Sequence, residues 1–121
     1  MTLQTKQILP QGMLVKAENA VFGLFKTHQD SRLLYHNYEL AAKLVDSIQE
    51  VGNAVDLSPQ IMEMLCVAGW FYPTGHLLDY DNPTEAAIKN VIQFLAEENY
   101  PKAKTEKIKD FIRLALSLIH I

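Results

Sequence analysis

Five side chains in two short stretches of the sequence could together bind a metal ion. His36 and Glu39 lie three residues apart, and further along the chain come His76, Asp79 and Asp81. Imidazole and carboxylate groups hold a divalent ion when they converge to about 2.0–2.2 Å from one point, and the bound metal activates water for hydrolysis. Turns and helix caps also favour aspartate, so Asp79 and Asp81 have a structural interpretation as well. Both interpretations are open at this stage.

No other catalytic arrangement is recognisable. The sequence contains no glycine-rich phosphate loop, no pair of CxxC motifs and no GxSxG nucleophile motif. The single cysteine, Cys66, lies in the apolar run Leu65-Cys66-Val67-Ala68. A thiol in that setting is typical of a buried, inert core residue in a reducing compartment.

Helices would have to position these side chains, because apolar residues recur at the three- and four-residue spacing of amphipathic helices. The pattern predicts an all-α fold of about five helices. The first helix is predicted from about Met13 to Lys26, and the second has an apolar face from Leu40 to Val51. The third is predicted from Pro59 to just before Pro73 and the fourth from Pro83 to about Asn99. The fifth begins near Thr105. A chain of 121 residues, 49% of them hydrophobic, has room for one domain with one core. We therefore expect a single-domain helical bundle with its core between about residues 13 and 113.

Two of the helix starts carry recognisable capping residues. Ser58 precedes Pro59, and serine at the N-cap followed by proline at the first helical position is a favourable start. Asn82 precedes Pro83, and Glu85 could reach back to complete a capping box. The sequence thus predicts side-chain caps at both helices. The inward face of the fifth helix is predicted to carry Ile108, Phe111, Ile112 and Ala115.

The composition limits the partners of this chain. A formal net charge of -3 and a pI near 5.7 provide no overall attraction for a nucleic-acid backbone, so we expect no nucleic-acid partner. The N-terminus lacks the basic and apolar regions of a secretory signal, and no run approaches the ~20 apolar residues of a membrane span. These features predict a cytoplasmic protein that makes no membrane contact of its own.

Three longer motifs carry a resemblance to a known family. They read Tyr35-His36-Asn37-Tyr38-Glu39-Leu40, Trp70-Phe71-Tyr72-Pro73-Thr74-Gly75 and Tyr80-Asp81-Asn82-Pro83. This framework resembles the bacterial HD-domain phosphohydrolases, whose segments read approximately Tyr-His-Asn-x-x-His, Trp-Phe-His-Asp-Thr-Gly and a following His. The similarity covers about Met13 to Arg113 and is greatest to the N-terminal HD-type domain of bacterial proteins called Pycsar system effectors. The resemblance implies an HD-like helical fold.

The resemblance also implies where a metal would be bound and which residues replace its ligands. In HD domains, His and Asp side chains hold one or two divalent metals that make hydrolysis of phosphate esters possible. The corresponding positions here are Leu40, Tyr72, Pro73 and Pro83. Leucine and proline side chains carry no lone pair, and a phenol with a pKa near 10 is a poor ligand at neutral pH. We therefore expect no ordinary HD metal centre, and we expect Leu40 and Tyr72 to fill part of the volume that it would have occupied.

Two functions follow as hypotheses. The first is a degenerate HD-domain protein that serves as a non-catalytic regulatory, ligand-sensing or interaction module, with no cofactor and with a small phosphorylated ligand or a protein as its partner. The alternative is an active phosphohydrolase that uses a divalent metal at the shifted set His36, Glu39, His76, Asp79 and Asp81. Against the shifted set, the retained Tyr-His-Asn motif favours a structural hydrogen-bonding role for His36.

The end of the sequence has two interpretations. Residues Leu116 to Ile121 resemble the translated end of a sequencing adapter, which would make them non-native. They also suit the apolar stripe of the fifth helix. The resemblance to the longer family members allows a natural chain that continues beyond residue 121 into a C-terminal membrane region.

Overall fold

The computed structural model describes the backbone of residues 2–28, 31–77 and 81–116, and the side chains of residues 12–28, 34–75 and 81–114. Within these ranges the chain forms five α-helices and no strand, which confirms the all-α prediction. The helices are α1 (Thr2–His28), α2 (Ser31–Ala54), α3 (Pro59–Phe71), α4 (Pro83–Glu97) and α5 (Lys102–Asp110). Two shorter segments continue them, a 3-10 segment after α3 (Tyr72–Leu77) and a π-helical segment after α5 (Phe111–Leu116).

Three helices are longer than the apolar pattern predicted. α1 begins at Thr2 instead of near Met13, α2 begins at Ser31, and α5 begins at Lys102 instead of near Thr105. The apolar stripe marks only the part of a helix that faces the core, so a helix can continue beyond it without a periodic signal. In the described part of the chain, no helix combines the length and the hydropathy that a bilayer span requires.

α3 forms the centre of the packing. It contacts each of the other four α-helices, and Cys66, Val67 and Ala68 in its second half are fully buried. One apolar cluster joins all five α-helices, and each large side chain buried there contributes about 1.5–3 kcal/mol relative to an exposed one. The largest fully buried side chains include Phe25 on α1, Phe71 on α3, Leu95 on α4 and Ile108 on α5.

Cys66 is the buried free thiol that the sequence predicted. Burial raises the pKa of Cys66 to about 11, although a hydrogen bond with Gln49 acts in the opposite direction. A thiol with that pKa stays protonated at neutral pH and is a weak nucleophile. Cys66 therefore has a packing role.

The two predicted helix caps have different outcomes. The Ser58 side chain accepts a hydrogen bond from the backbone N–H of Ile61 at 3.2 Å, and Pro59 occupies the start of α3, as predicted. The prediction of a capping box at α4 is wrong, because the Asn82 side chain makes no cap hydrogen bond. Glu85 instead forms a two-bond ion pair with Arg113, at 2.9 and 3.0 Å. This pair ties the π-helical segment that follows α5 to the first turn of α4.

The turn between α4 and α5 is anchored on α3. Asn99 adopts a left-handed conformation with φ 56°, which asparagine tolerates better than most residues. The hydroxyl of the next residue, Tyr100, donates to Glu63 Oε1 at 2.8 Å. Burial, followed by this bond to a carboxylate, raises the pKa of Tyr100.

The inward face of the last helix is confirmed where it is described. Ile108 and Ile112 are fully buried, whereas Phe111 is half-buried. The side chain of Ala115 and the residues from 117 to 121 lie outside the described residues, so the predictions for them are not addressed by the structure.

Candidate functional site

The four positions that the HD resemblance assigns to metal ligands lie in different surroundings. Tyr72 is buried at the start of the 3-10 segment, with 9% of its surface exposed. Pro73 follows it and is half-buried, and Pro83 is half-buried at the start of α4. Leu40 lies on α2 and is 45% exposed. The hydroxyl of Tyr72 is the only side-chain heteroatom among the four.

The expectation that Leu40 fills an interior volume is wrong. The buried residues of α2 are Leu34, Ala41 and Val45, which recur at helical spacing on one face. Leu40 precedes Ala41 and is therefore rotated by about 100° from that face. Leu40 therefore lies outside the buried face, in contact with solvent. Val51, which the sequence put on the same apolar face, is also exposed, at 62%.

The 3-10 segment that begins at Tyr72 packs against α4, and we call this contact between Tyr72–Leu77 and Pro83–Glu97 the joint. Thr74 is fully buried, and its hydroxyl donates to the carbonyl of Phe71 at 2.7 Å. The same oxygen accepts a hydrogen bond from Asn90 Nδ2 on α4 at 2.9 Å. Among the described side chains, no buried nitrogen or oxygen atom lacks a hydrogen-bond partner. Asn90 carried no recognisable signal in the sequence, since its role depends on the meeting of two distant segments.

Gly75 makes this joint tighter than any other residue type would allow. A Cβ atom at Gly75 would collide with the carbonyl group of Pro83 and would also crowd the backbone nitrogen of Ala87. The 3-10 segment therefore packs with its backbone directly against the first turn of α4. Three of the four aligned positions, Tyr72, Pro73 and Pro83, belong to the segments that meet here.

The shifted metal set is only partly described. His36 and Glu39 are exposed on α2, and Asp81 is exposed just before α4. The side chain of His76 and all of Asp79 lie outside the described residues. Within the part of the chain that the structure describes, no three His, Cys, Asp or Glu side chains are grouped so that they could hold a metal ion.

An aromatic cluster joins the first three helices. Tyr38 on α2 stacks on Trp70 of α3 with ring centroids 5.8 Å apart, and Phe22 of α1 meets Tyr38 edge-on at 5.4 Å. The Tyr38 hydroxyl donates to the carboxylate of Glu18 on α1. This hydrogen bond, with a further contribution from desolvation, raises the pKa of Tyr38 to about 12. Tyr38 and Trp70 belong to the recognised motifs, and both have structural roles here.

Two surface clefts lie beside these elements. The first, of about 190 Å³, lies between α1 and α4 and has a floor of apolar side chains with Asn90, Gln93 and Glu97 among its polar lining. The second, of about 250 Å³, lies among α1, α2 and α3 and is lined by Leu14, Val15, Glu18, Val45, Asp46, Gln49 and Trp70. Neither cleft is lined by any of the four aligned positions.

Comparisons of the chain with known proteins give no further assignment. Family models, curated proteins and solved structures yielded no match to this chain. The resemblance to HD domains therefore stays a prediction from three sequence motifs, and the function has to be argued from the chemistry of the residues.

Proposed function

We propose that this chain is a non-catalytic regulatory or interaction module on a degenerate HD-like scaffold. The observation that carries the proposal is the chemistry of the four aligned positions. Leu40, Pro73 and Pro83 have side chains without a donor atom, and Tyr72 contributes a phenol in a buried position. A divalent metal requires several imidazole, thiolate or carboxylate ligands converging on one point, and these residues do not supply them.

The joint around Thr74 supports the same proposal. Its hydrogen bonds to Phe71 and Asn90 are internal, and the approach of Gly75 to Pro83 leaves no space for a side chain between the two segments. A catalytic centre needs ligand side chains that face a site open to substrate. A joint whose polar groups bond to one another is better suited to holding α3 and α4 in a fixed arrangement.

The proposal extends to the partner and the compartment. A small phosphorylated ligand or a protein partner would be bound without being hydrolysed, and no cofactor would be required. The buried free thiol Cys66 is compatible with the reducing conditions of the cytoplasm, where we expect the protein to act.

The test is an assay for metal-dependent hydrolysis on natively purified protein. Phosphomonoester and cyclic-nucleotide substrates are incubated with the protein and manganese, with and without a chelator, and the metal content of the purified protein is measured. We expect no hydrolysis above the protein-free rate and less than stoichiometric metal. Chelator-sensitive turnover or a tightly held stoichiometric metal would overturn the proposal.

A pair of variants separates the alternative enzyme from a contaminant. If turnover is observed, the shifted-site hypothesis requires His36→Ala and Asp81→Asn to abolish it, since both residues belong to that set. The matched control is His28→Ala, an exposed histidine of α1 outside the set. Activity that survives all three substitutions does not come from the shifted site.

A further inference from the structure

We propose that the cleft among α1, α2 and α3 binds an alkylammonium group, the chemistry shared by small aliphatic amines and lysine side chains. The cleft has a volume of about 250 Å³. This is below the range of about 300–1,000 Å³ that is typical of sites for drug-sized ligands, so one short aliphatic amine suits its size. The proposal does not depend on whether the HD-like scaffold is catalytic, because none of the four aligned positions lines this cleft.

Apolar side chains line the cleft and suit the hydrocarbon stem of such a ligand. Leu14 and Val15 come from α1, and Val45 comes from α2. Trp70 of α3 also lines the cleft, and its ring is held by the stacked ring of Tyr38. A tryptophan ring attracts an ammonium group within about 6 Å of its centroid more strongly than any other side-chain ring does.

Carboxylates from two helices provide the charge. Glu18 of α1 and Asp46 of α2 line the cleft together with the amide of Gln49. Glu18 also accepts the hydrogen bond from Tyr38, which restrains the position of its carboxylate. Asp46 is exposed and forms no ion pair with the described residues.

Among the described residues, no cation forms an ion pair with Glu18 or Asp46. Lys16 on α1 pairs instead with Glu98, at 2.9 Å, and does not line the cleft. The formal net charge of -3 further favours the approach of a cation. Apolar side chains, an indole ring and carboxylates from two helices together favour a cation with an apolar stem over a bare metal ion or an anion.

Trp70 is the only tryptophan of the chain, so its fluorescence reports directly on this cleft. The full chain is titrated with n-butylammonium at low ionic strength and, in parallel, with the neutral analogue n-butanol. We expect a saturable change with the amine only, and weaker binding at about 0.5 M salt because exposed charges are screened. A response that does not saturate, or an equal response to the alcohol, overturns the proposal.

Two carboxylate substitutions on the same helix provide the matched comparison. Asp46→Asn should weaken butylammonium binding about threefold, which corresponds to the loss of one exposed ion pair. Glu50→Gln removes an exposed charge of α2 that does not line the cleft, so it should leave the affinity unchanged. Equal weakening by both variants would mean attraction by net charge alone and would overturn the site.

The same titration distinguishes the two sources of the ammonium group. A blocked Gly-Lys-Gly peptide replaces butylammonium in the second arm. Tighter binding of the peptide assigns the cleft to a lysine of a protein partner, and binding no tighter than that of butylammonium assigns it to a free amine. Each result supports a site for this chemical group.

Discussion

Gly75 allows a contact between two backbones that any side chain would prevent. A Cβ atom there would meet the carbonyl group of Pro83, which is backbone and cannot rotate away. We expect Gly75→Ala to lower the free energy of unfolding by about 2–3 kcal/mol, at the upper end of the usual cost of overpacking. Urea unfolding followed by circular dichroism measures the change.

Gly23 provides the matched control for that substitution. It lies inside α1, and a Cβ atom there would have no neighbour within 4 Å. Gly23→Ala should therefore raise the free energy of unfolding by about 0.5–1 kcal/mol, because alanine is the better helix former. If Gly75→Ala also raises the free energy of unfolding, backbone propensity and not the close approach governs Gly75.

Single residues were predictable from the sequence where their role is local. The cap of Ser58 depends on a bond to a residue three positions away, and Cys66 lies in a continuous apolar run, so both predictions are confirmed. The predictions for Leu40 and Asn82 were wrong because they depended on contacts with distant parts of the chain. The exposure of Leu40 depends on which face of α2 packs against the other helices, and Glu85, the second residue of the predicted capping box, pairs with a distant arginine.

At the scale of elements, the ion pair between Glu85 and Arg113 connects the start of α4 to the π-helical segment. Hydrogen bonding to Arg113 holds the pKa of Glu85 below its ordinary value. A lowered carboxyl pKa in the folded state stabilises the fold above the unfolded pKa, and this contribution disappears as the pH falls through the folded pKa. We expect wild-type protein to lose more stability between about pH 6 and about pH 3 than Glu85→Gln does, as measured by urea midpoints.

A double-mutant cycle tests whether that pH dependence comes from this pair. In an Arg113→Gln background, Glu85→Gln should change the pH dependence much less, because the main partner that lowers the Glu85 pKa is absent and only the charge of Lys109 still lowers it. High salt should reduce the difference in the wild-type background, since both side chains are about half exposed. An unchanged effect of Glu85→Gln without the arginine would assign the dependence to other charges.

The periodic pattern predicted the existence of the helices better than their ends. Amphipathic spacing reports contact with a core, so all five helices were found, but it missed the polar start of α5 and the extension of α1 to Thr2. The sequence predicted that α3 ends before Pro73, but it did not predict the 3-10 segment that follows. Its geometry depends on packing against α4, which local sequence does not encode.

At the scale of the whole molecule, one apolar cluster spans all five α-helices. Ile108 on α5 and Trp70 on α3 both belong to that cluster, and Trp70 also stacks on Tyr38. A fold with one shared core unfolds as a unit, so a change in α5 should be detected by a probe in α3. The single tryptophan makes this measurable in the native sequence.

We expect Ile108→Val to lower the free energy of unfolding by about 0.5–1.5 kcal/mol and to shift two urea transitions equally, the fluorescence of Trp70 and the helical circular dichroism. The matched control is Ile92→Val on α4, where the side chain is 37% exposed and the same methylene is only partly buried, so the change should be smaller. If Ile108→Val shifts the dichroism transition but leaves the Trp70 transition in place, α5 unfolds independently of α3. The shared cluster would then behave as two cores. In one cooperative unit, the loss of buried volume at one helix lowers the stability of all the helices.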